Sequence, residues 1–417
     1  MFTAKDCIFA GASETKNMKL RIILISLLLS LFPVLSNAQG FLHADGKSIA
    51  NGKNEKILLR GIGLGGWMLQ EPYMLQLSKV AGTQTEIRNR IAELIGEQNT
   101  DTFYSVYRKN MITRRDVDSL TAWGFNSVRL PMHYNLYTLP IEKEPENGKN
   151  TWLNEGFELT DSLLAWCRTN NIYLILDLHA APGGQGNDRP IADVDTNKPQ
   201  LWESEANRMK TIALWKELAK KYKNEEWIGG YDLINETNYP LDGNKALLDL
   251  YLAITKQIRK KDKKHLIFIE GNKFANDFTG LTPPWDKNMA YSFHKYWNPA
   301  TEETIRKFID LRSQHNIPLW MGESGENNNE WYRNTIDLLE SNDIGWAWWT
   351  IKKIGSASGI MTVKRPDGYQ EIIDYWAGKG PRPAPDKALV TFMELAENMK
   401  IENCVINYDV INALFDK

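Results

Sequence analysis

The chain has 417 residues, 42% hydrophobic and 24% charged, an ordinary globular composition with room for one large α/β barrel or two smaller domains. A formal net charge of −2 provides no basic field to draw in nucleic acid or anionic lipid, so a neutral partner is expected. Fifteen Trp, sixteen Tyr and fourteen Phe supply many flat rings, which fill cores and also stack on the C–H faces of ligands.

Met18-Lys-Leu-Arg21 reads as the basic start of an export signal, residues 22–35 as its apolar stretch and Ser36-Asn-Ala38 as a small-residue cleavage site. The apolar stretch is shorter than the ~18 residues a membrane span needs. A cleaved signal peptide at 18–38 is therefore expected, giving an exported product, extracellular or periplasmic, with no membrane span in the mature chain. Residues 1–17, Cys7 among them, read as an upstream extension from a misassigned start codon, because a signal's basic region is normally translated first.

From residue 41 to 417, short runs rich in Ile, Val, Leu and Trp alternate with amphipathic stretches. Strands are predicted at 57–64, 125–130, 173–178, 228–234, 265–269, 289–294, 318–322 and 345–350. Helices are predicted at 83–96, 116–123, 157–169, 207–222, 245–260, 301–314 and 330–341, with 386–397 after the last strand. Eight alternations without a repeat or linker point to one (β/α)8 barrel domain. Two connections are long, 177–205 and 352–387, the latter dense in Gly and Pro and read as a loop. Cys167 and Cys404 match no metal-ligand spacing, and sequence leaves open whether they pair.

Two glutamates stand where apolar strands run out. Glu236 ends the run 227–236 and Glu323 ends the run 317–323. A carboxylate at the mouth of a buried strand is rigidly held yet open to substrate. Two of them suit cleavage of a glycosidic bond with retention, which needs one protonated and one ionised carboxyl about 5–5.5 Å apart. Glu236 is read as acid/base and Glu323 as nucleophile. Asn235 is placed to donate to a sugar 2-hydroxyl, Arg129 to hold Glu323 ionised, and Tyr296 to donate its phenolic proton to the same carboxylate. Singly, each has a plain structural explanation, such as a turn glutamate or a salt-bridge arginine. Arg129, His179, Asn235-Glu236, His294, Tyr296, Glu323 and Trp349 all fall at C-terminal strand ends, however, and so many coincidences on one rim are improbable. The six His form no H-x-x-x-H or H-x-H cluster with nearby acids, and Gly61-Ile-Gly-Leu-Gly-Gly lacks the spacing of a phosphate loop, so no metal and no cofactor are expected.

Arg129-Leu-Pro, Asp177-Leu-His179, Leu233-Ile-Asn-Glu236, His294-Lys-Tyr296, Trp320-Met-Gly-Glu323 and Trp348-Trp-Thr350 stand in an order that resembles glycoside hydrolase family 5, the retaining (β/α)8 glycosidases. The resemblance implies the same two carboxylate roles, with Arg129, His179, Asn235, His294 and Tyr296 around the −1 sugar and Trp349 as its platform. Thr237 departs from the proline usual after the acid/base. Arg60-Gly-Ile-Gly-Leu-Gly-Gly-Trp67-Met-Leu-Gln-Glu71 and Asp177-Leu-His-Ala-Ala-Pro-Gly-Gly-Gln185 look like the exo-β-1,3-glucanase branch, where the glutamate matching Glu71 lines the pocket for the terminal glucose. The resemblance thus implies a β-1,3/1,6-glucan polysaccharide or oligosaccharide as substrate. An endo-β-1,4-glucanase and a non-catalytic glycan-binding barrel are the alternatives, and oligomeric state is left open.

Overall fold

Each of the eight predicted apolar runs forms a strand, and the eight pair in parallel until the last closes on the first. The structure, a computed structural model, describes residues 39–416; the expected signal segment and the extension before it lie outside them. The barrel strands are β1 (Arg60–Gly63), β2 (Ser127–His133), β3 (Tyr173–Ala180), β4 (Ile228–Asp232), β5 (Ile267–Glu270), β6 (Met289–Lys295), β7 (Leu319–Gly325) and β8 (Gly345–Trp349). β2 through β8 are buried throughout, as expected of strands with side chains inside the barrel on one face and helices on the other. The fold is a (β/α)8 barrel.

An antiparallel hairpin, His43–Asp45 with Ser48–Ala50, lies at the end where the strands begin. Tyr173 Oη donates to Gly40 O at 3.0 Å, Ala44 N to Asn288 Oδ1 at 2.8 Å, and the Phe41 ring meets His265 edge-on. The opposite end is thereby left for chemistry.

The structure adds a helix that the sequence reading left blank, Glu97–Met111. Its buried face, Phe103, Tyr104, Tyr107 and Met111, has helical spacing, but Gly96, at φ 82, sits directly between it and the preceding helix Gln84–Ile95. The helix matters because it holds the loop after β1: Tyr107 Oη donates to Gly66 O at 2.8 Å, Tyr104 Oη to Gln70 Oε1 at 3.0 Å, and Trp67 Nε1 to Arg108 O at 2.7 Å. Glu71 is the next residue along that loop.

Segment 352–387 is not the plain loop expected. Lys352–Ile354 and Met361–Val363 pair in parallel, Cys404–Ile406 adds antiparallel, and Tyr369–Trp376 is helical. The strands are only three residues each, too short for alternation to register against the surrounding Gly and Pro. Lys352 anchors the sheet from inside, donating to Met111 O at 2.6 Å and Met399 O at 2.8 Å and pairing with Asp116 at 2.5 Å. Cys167 and Cys404 are both free thiols.

Candidate active site

The C-terminal strand ends open into a pocket of about 710 Å³, and Glu71, His179, Glu236, His294, Tyr296, Glu323 and Trp349 all line it. Arg129 and Asn235, both fully buried, stand directly behind that lining.

Arg129 organises the floor. Its Nη1 donates to Glu323 Oε2 at 2.7 Å, Nη2 to Asn235 Oδ1 at 2.7 Å and Glu270 Oε1 at 2.9 Å, and Nε to Asp232 Oδ2 at 3.1 Å; Asp177 Oδ2 lies 3.2 Å from Nη2. One planar fork on β2 thus fixes groups from β3, β4 and the loop after it, β5 and β7 in a dry site, where an unpaired charge would be prohibitive. Burial opposes the guanidinium charge, but Asp177, Asp232, Glu270 and Glu323 outweigh it. Tyr296 Oη donates to the other oxygen of Glu323 at 2.7 Å. Glu323 therefore keeps a fixed rotamer with both oxygens hydrogen-bonded.

Strand irregularity aims these groups. Pairing of β6 with β7 slips between Phe293↔Met321 and His294↔Glu323, leaving Gly322 as the extra residue. A Cβ at Gly322 would come within 2.3 Å of Ser292 Oγ and 3.3 Å of His294 Nε2, so Trp-Met-Gly-Glu needs its glycine for the close approach.

Glu236 lies four residues beyond the end of β4 rather than on the strand itself. Its φ of +38 is a left-handed conformation that costs a non-glycine residue roughly 1–3 kcal/mol. Its carboxylate Oε1 is 2.7 Å from His294 Nδ1, so one proton lies between them. Burial works against charge on His294, but Glu270 and Glu323 and the hydrogen bonds to Glu236 and Glu270 prevail and push the imidazole well above its usual range. One carboxylate oxygen of Glu236 and one of Glu323 lie within 4.8 Å of one another. That gap accommodates an anomeric carbon but not an intervening water, the geometry of retention.

Trp349, 3% exposed, lies parallel to His179 at 5.3 Å between ring centroids, and donates its Nε1 proton to Tyr73 Oη at 2.8 Å. A Cβ on Gly63 would meet the Trp349 ring at 2.5 Å, which accounts for one glycine of the β1 motif. His179 Nδ1 is 2.7 Å from Asp177 Oδ2 and Nε2 is 3.3 Å from Asn235 Nδ2. Burial first, then Arg129 and His294, push His179 down to about 3 against the pull of Glu323, so its ring is neutral. Glu71 makes no capping bond to its own turn and faces the pocket, 3.9 Å from His179 Nε2. Burial above all, then the charges of Glu323, Glu236, Asp188 and Glu326, hold its carboxyl well above the usual range.

Several groups that line or back the pocket were given no role from sequence. Gln185 bridges two loops, donating to His179 O at 2.7 Å and Asn235 O at 2.9 Å. Tyr73 Oη and Lys353 Nζ converge on Glu326 Oε1, at 3.0 and 2.6 Å. Phe274 and Trp297 stand at the rim with φ of 57 and 53. Trp297, next to the Tyr296 motif, and Gln185, which ends the Asp177–Gln185 motif, carried a sequence signal.

Among the described residues, two clusters have the donor set of a metal site: Glu236, His294 and Glu323, and Asp177, Asp232 and Glu270. In the first the surrounding carboxylates favour the charged form of the imidazole, and in the second the Arg129 guanidinium already supplies the positive charge. Protein cations thus answer both.

Asp232 yields a pH test. Burial first and the Glu270 charge second push it up to about 8, against the pull of Arg129. A carboxyl raised from 3.8 stabilises the fold fully below pH 3.8 and loses that contribution as pH climbs toward 8. Asn resembles the protonated acid and does not titrate. Asp232→Asn is therefore expected to show a shallower fall in melting temperature between pH 4 and 8 than the parent; parallel curves would contradict the shift.

A family model described as Cellulase (glycosyl hydrolase family 5) matches residues 88–355. A β-xylosidase of Phanerodontia chrysosporium is 29% identical over 386 residues, covering 83% of this chain and 78% of its own length. Endoglucanase C of Acetivibrio thermocellus is 25% identical over 379 residues, 76% of this chain and 97% of its own. A probable glucan 1,3-β-glucosidase A of Aspergillus clavatus is 24% identical over 276 residues, 64% of this chain and 62% of its own. Among solved structures, the cellulose synthase subunit Z of Clostridioides difficile superposes with a TM-score of 0.54 at 16% identity, covering 86% of this chain and all of that one, and shows the same barrel.

Proposed function

From glycoside hydrolase family 5, the family to which this chain belongs, we propose an exo-acting retaining hydrolase that removes glucose from the non-reducing ends of β-1,3/1,6-glucan or its oligosaccharides. Glu323 attacks the anomeric carbon while Glu236 gives its proton to the departing glycosidic oxygen; water, losing its proton to Glu236, then displaces Glu323. The observation that carries this is the approach of the two carboxylates within 4.8 Å, with Glu323 gripped by Arg129 and Tyr296 and Glu236 by His294. Asn235, His179 and Trp349 are assigned to the −1 sugar.

Chain-end specificity is assigned to Glu71. Beside it, Asp188 and Ile191 of the long loop after β3 line the same pocket, supporting a closed end rather than a through-going cleft. The β-1,3-glucosidase name of the Aspergillus clavatus relative favours the linkage, while the endoglucanase name of the Acetivibrio relative favours an endo-β-1,4 reading as the second choice. Export of the mature enzyme is proposed from the signal-like segment 18–38. No helix among the described residues is long and apolar enough to cross a membrane.

Product profiles on laminarin, pustulan, lichenan and carboxymethylcellulose, with reducing ends followed over time, test the substrate. Loss of one buried hydrogen-bond partner costs roughly 1–3 kcal/mol, so Glu71→Ala is expected to lower kcat/KM on laminari-oligosaccharides by about ten- to a hundredfold with little change in melting temperature. An unchanged kcat/KM together with internal cleavage of carboxymethylcellulose would turn the assignment to the endo-β-1,4 reading.

A further inference from the structure

Glu270, the last residue of β5, is completely buried and does not line the pocket, yet its carboxylate lies behind two groups that do. Its Oε2 accepts the backbone N–H of Glu236 at 2.7 Å. Its Oε1 accepts Arg129 Nη2 at 2.9 Å and lies 3.2 Å from His294 Nε2. The same imidazole meets Glu236 Oε1 through Nδ1, so Glu270 reaches Glu236 by two routes, one to its main chain and one to its carboxylate. The main chain of Glu270 is itself clamped: Tyr251 Oη donates to its carbonyl at 2.9 Å and accepts from its N–H at 3.3 Å.

This geometry bears on Glu236 because Glu236 sits at φ +38, a conformation a glutamate leaves unless something holds it. Thr237 stands where a rigid proline was expected, and the peptides that follow are held at Thr237 O by Phe274 N at 3.2 Å and at Asn238 O by Asn187 N at 3.0 Å, which leaves the N–H of Glu236 itself to Glu270. We propose that Glu270 is a positioning residue for the acid/base step, holding Glu236 in its strained conformation through the backbone N–H and orienting its carboxyl through His294. The proposal rests on the reading of Glu236 as acid/base. An acceptor-only group is required, because both oxygens face donors; a glutamine would set its NH2 against either Glu236 N–H or the Arg129 and His294 protons.

Glu270→Gln is expected to lower kcat/KM on phenyl β-glucoside, whose poor leaving group needs the proton, by roughly a hundredfold or more. Dinitrophenyl β-glucoside, whose leaving group needs none, is expected to lose less than about fivefold. In a Glu236→Ala background, Glu270→Gln is expected to add no further loss on the dinitrophenyl substrate, since the group it positions is gone. A residue that merely supports the fold would depress both substrates alike. If Glu270→Gln fails to fold, Glu270→Asp keeps the charge for Arg129 while drawing back from Glu236 N, and the same selective loss is expected. Equal losses on the two substrates in the variant that folds, or a further loss on the dinitrophenyl substrate in the double variant, would overturn the proposal while leaving Glu236 as acid/base. Absence of leaving-group dependence in Glu236→Ala alone would instead remove the reading beneath it.

Discussion

Glu323→Gln is expected to reduce turnover of β-glucosides by roughly 10⁴-fold or more while leaving the barrel folded. An amide nitrogen carries no free lone pair to attack the anomeric carbon, and its oxygen is a far weaker nucleophile than a carboxylate. The replacement is nearly isosteric. Its carbonyl can still accept from Arg129 Nη1, and its NH2 can donate to Tyr296 Oη, where Glu323 now takes both protons. Arg129 keeps Asp232, Glu270 and Asn235 in any case, so its burial stays compensated. Glu323→Ala should behave alike but opens space at the anomeric carbon. Added azide is then expected to restore turnover of an activated β-glucoside and to yield the α-glucosyl azide, because azide enters from the face opposite the leaving group. Wild-type-like activity in the glutamine variant, or a β-configured azide product from the alanine variant, would remove Glu323 from the nucleophile's place.

The barrel was legible because seven of its eight strands are buried on both faces, the eighth all but its first residue, and they read as apolar runs, a signal that needs no partner to interpret. Strand-end chemistry was legible for a related reason: once a run is placed, its last polar residue must face the C-terminal rim. Glu270 shows where that logic stops. It ends β5 much as Glu323 lies near the end of β7, yet it never reaches the pocket. Its meaning comes from donors supplied by β2, β6 and the loop after β4, and nothing local records their convergence. The helix Glu97–Met111 was hidden by the adjoining Gly96, although its contacts to Gly66 and Gln70 hold the segment leading to Glu71. Phe274 lies in a run of three positive-φ residues, Lys273 to Ala275, none of them glycine. Tertiary contacts support that turn: Phe274 N donates to Thr237 O at 3.2 Å and Asn276 Nδ2 to His294 O at 3.2 Å, while the same Nδ2 closes the turn locally on Phe274 O at 2.7 Å. No local propensity would announce it.

Glu236→Ala is expected to divide substrates by leaving group. For phenyl β-glucoside and for glucan oligosaccharides, the departing oxygen needs a proton as the bond breaks, and loss of a positioned acid is expected to slow glycosylation by about 10²–10⁴-fold. A dinitrophenolate leaves without help, so its first turnover should remain fast, because Glu323 keeps its hydrogen bonds to Arg129 and Tyr296. The second step then suffers, since the incoming water has lost its base. The glucosyl-enzyme should accumulate and appear as a burst of dinitrophenol followed by slow steady turnover. His294 sharpens the test. With Glu236 gone, its Nδ1 loses its partner while Nε2 keeps Glu270, so the imidazole remains in place but offers a proton from the wrong position for the glycosidic oxygen. Azide, which needs no general base, should speed the steady phase and give the β-glucosyl azide, the mirror of the product from the Glu323 variant. Burst kinetics without this acceleration, or glycosylation slowed equally for both leaving groups, would mean that the proton comes from another group and that Glu236 serves only to bind.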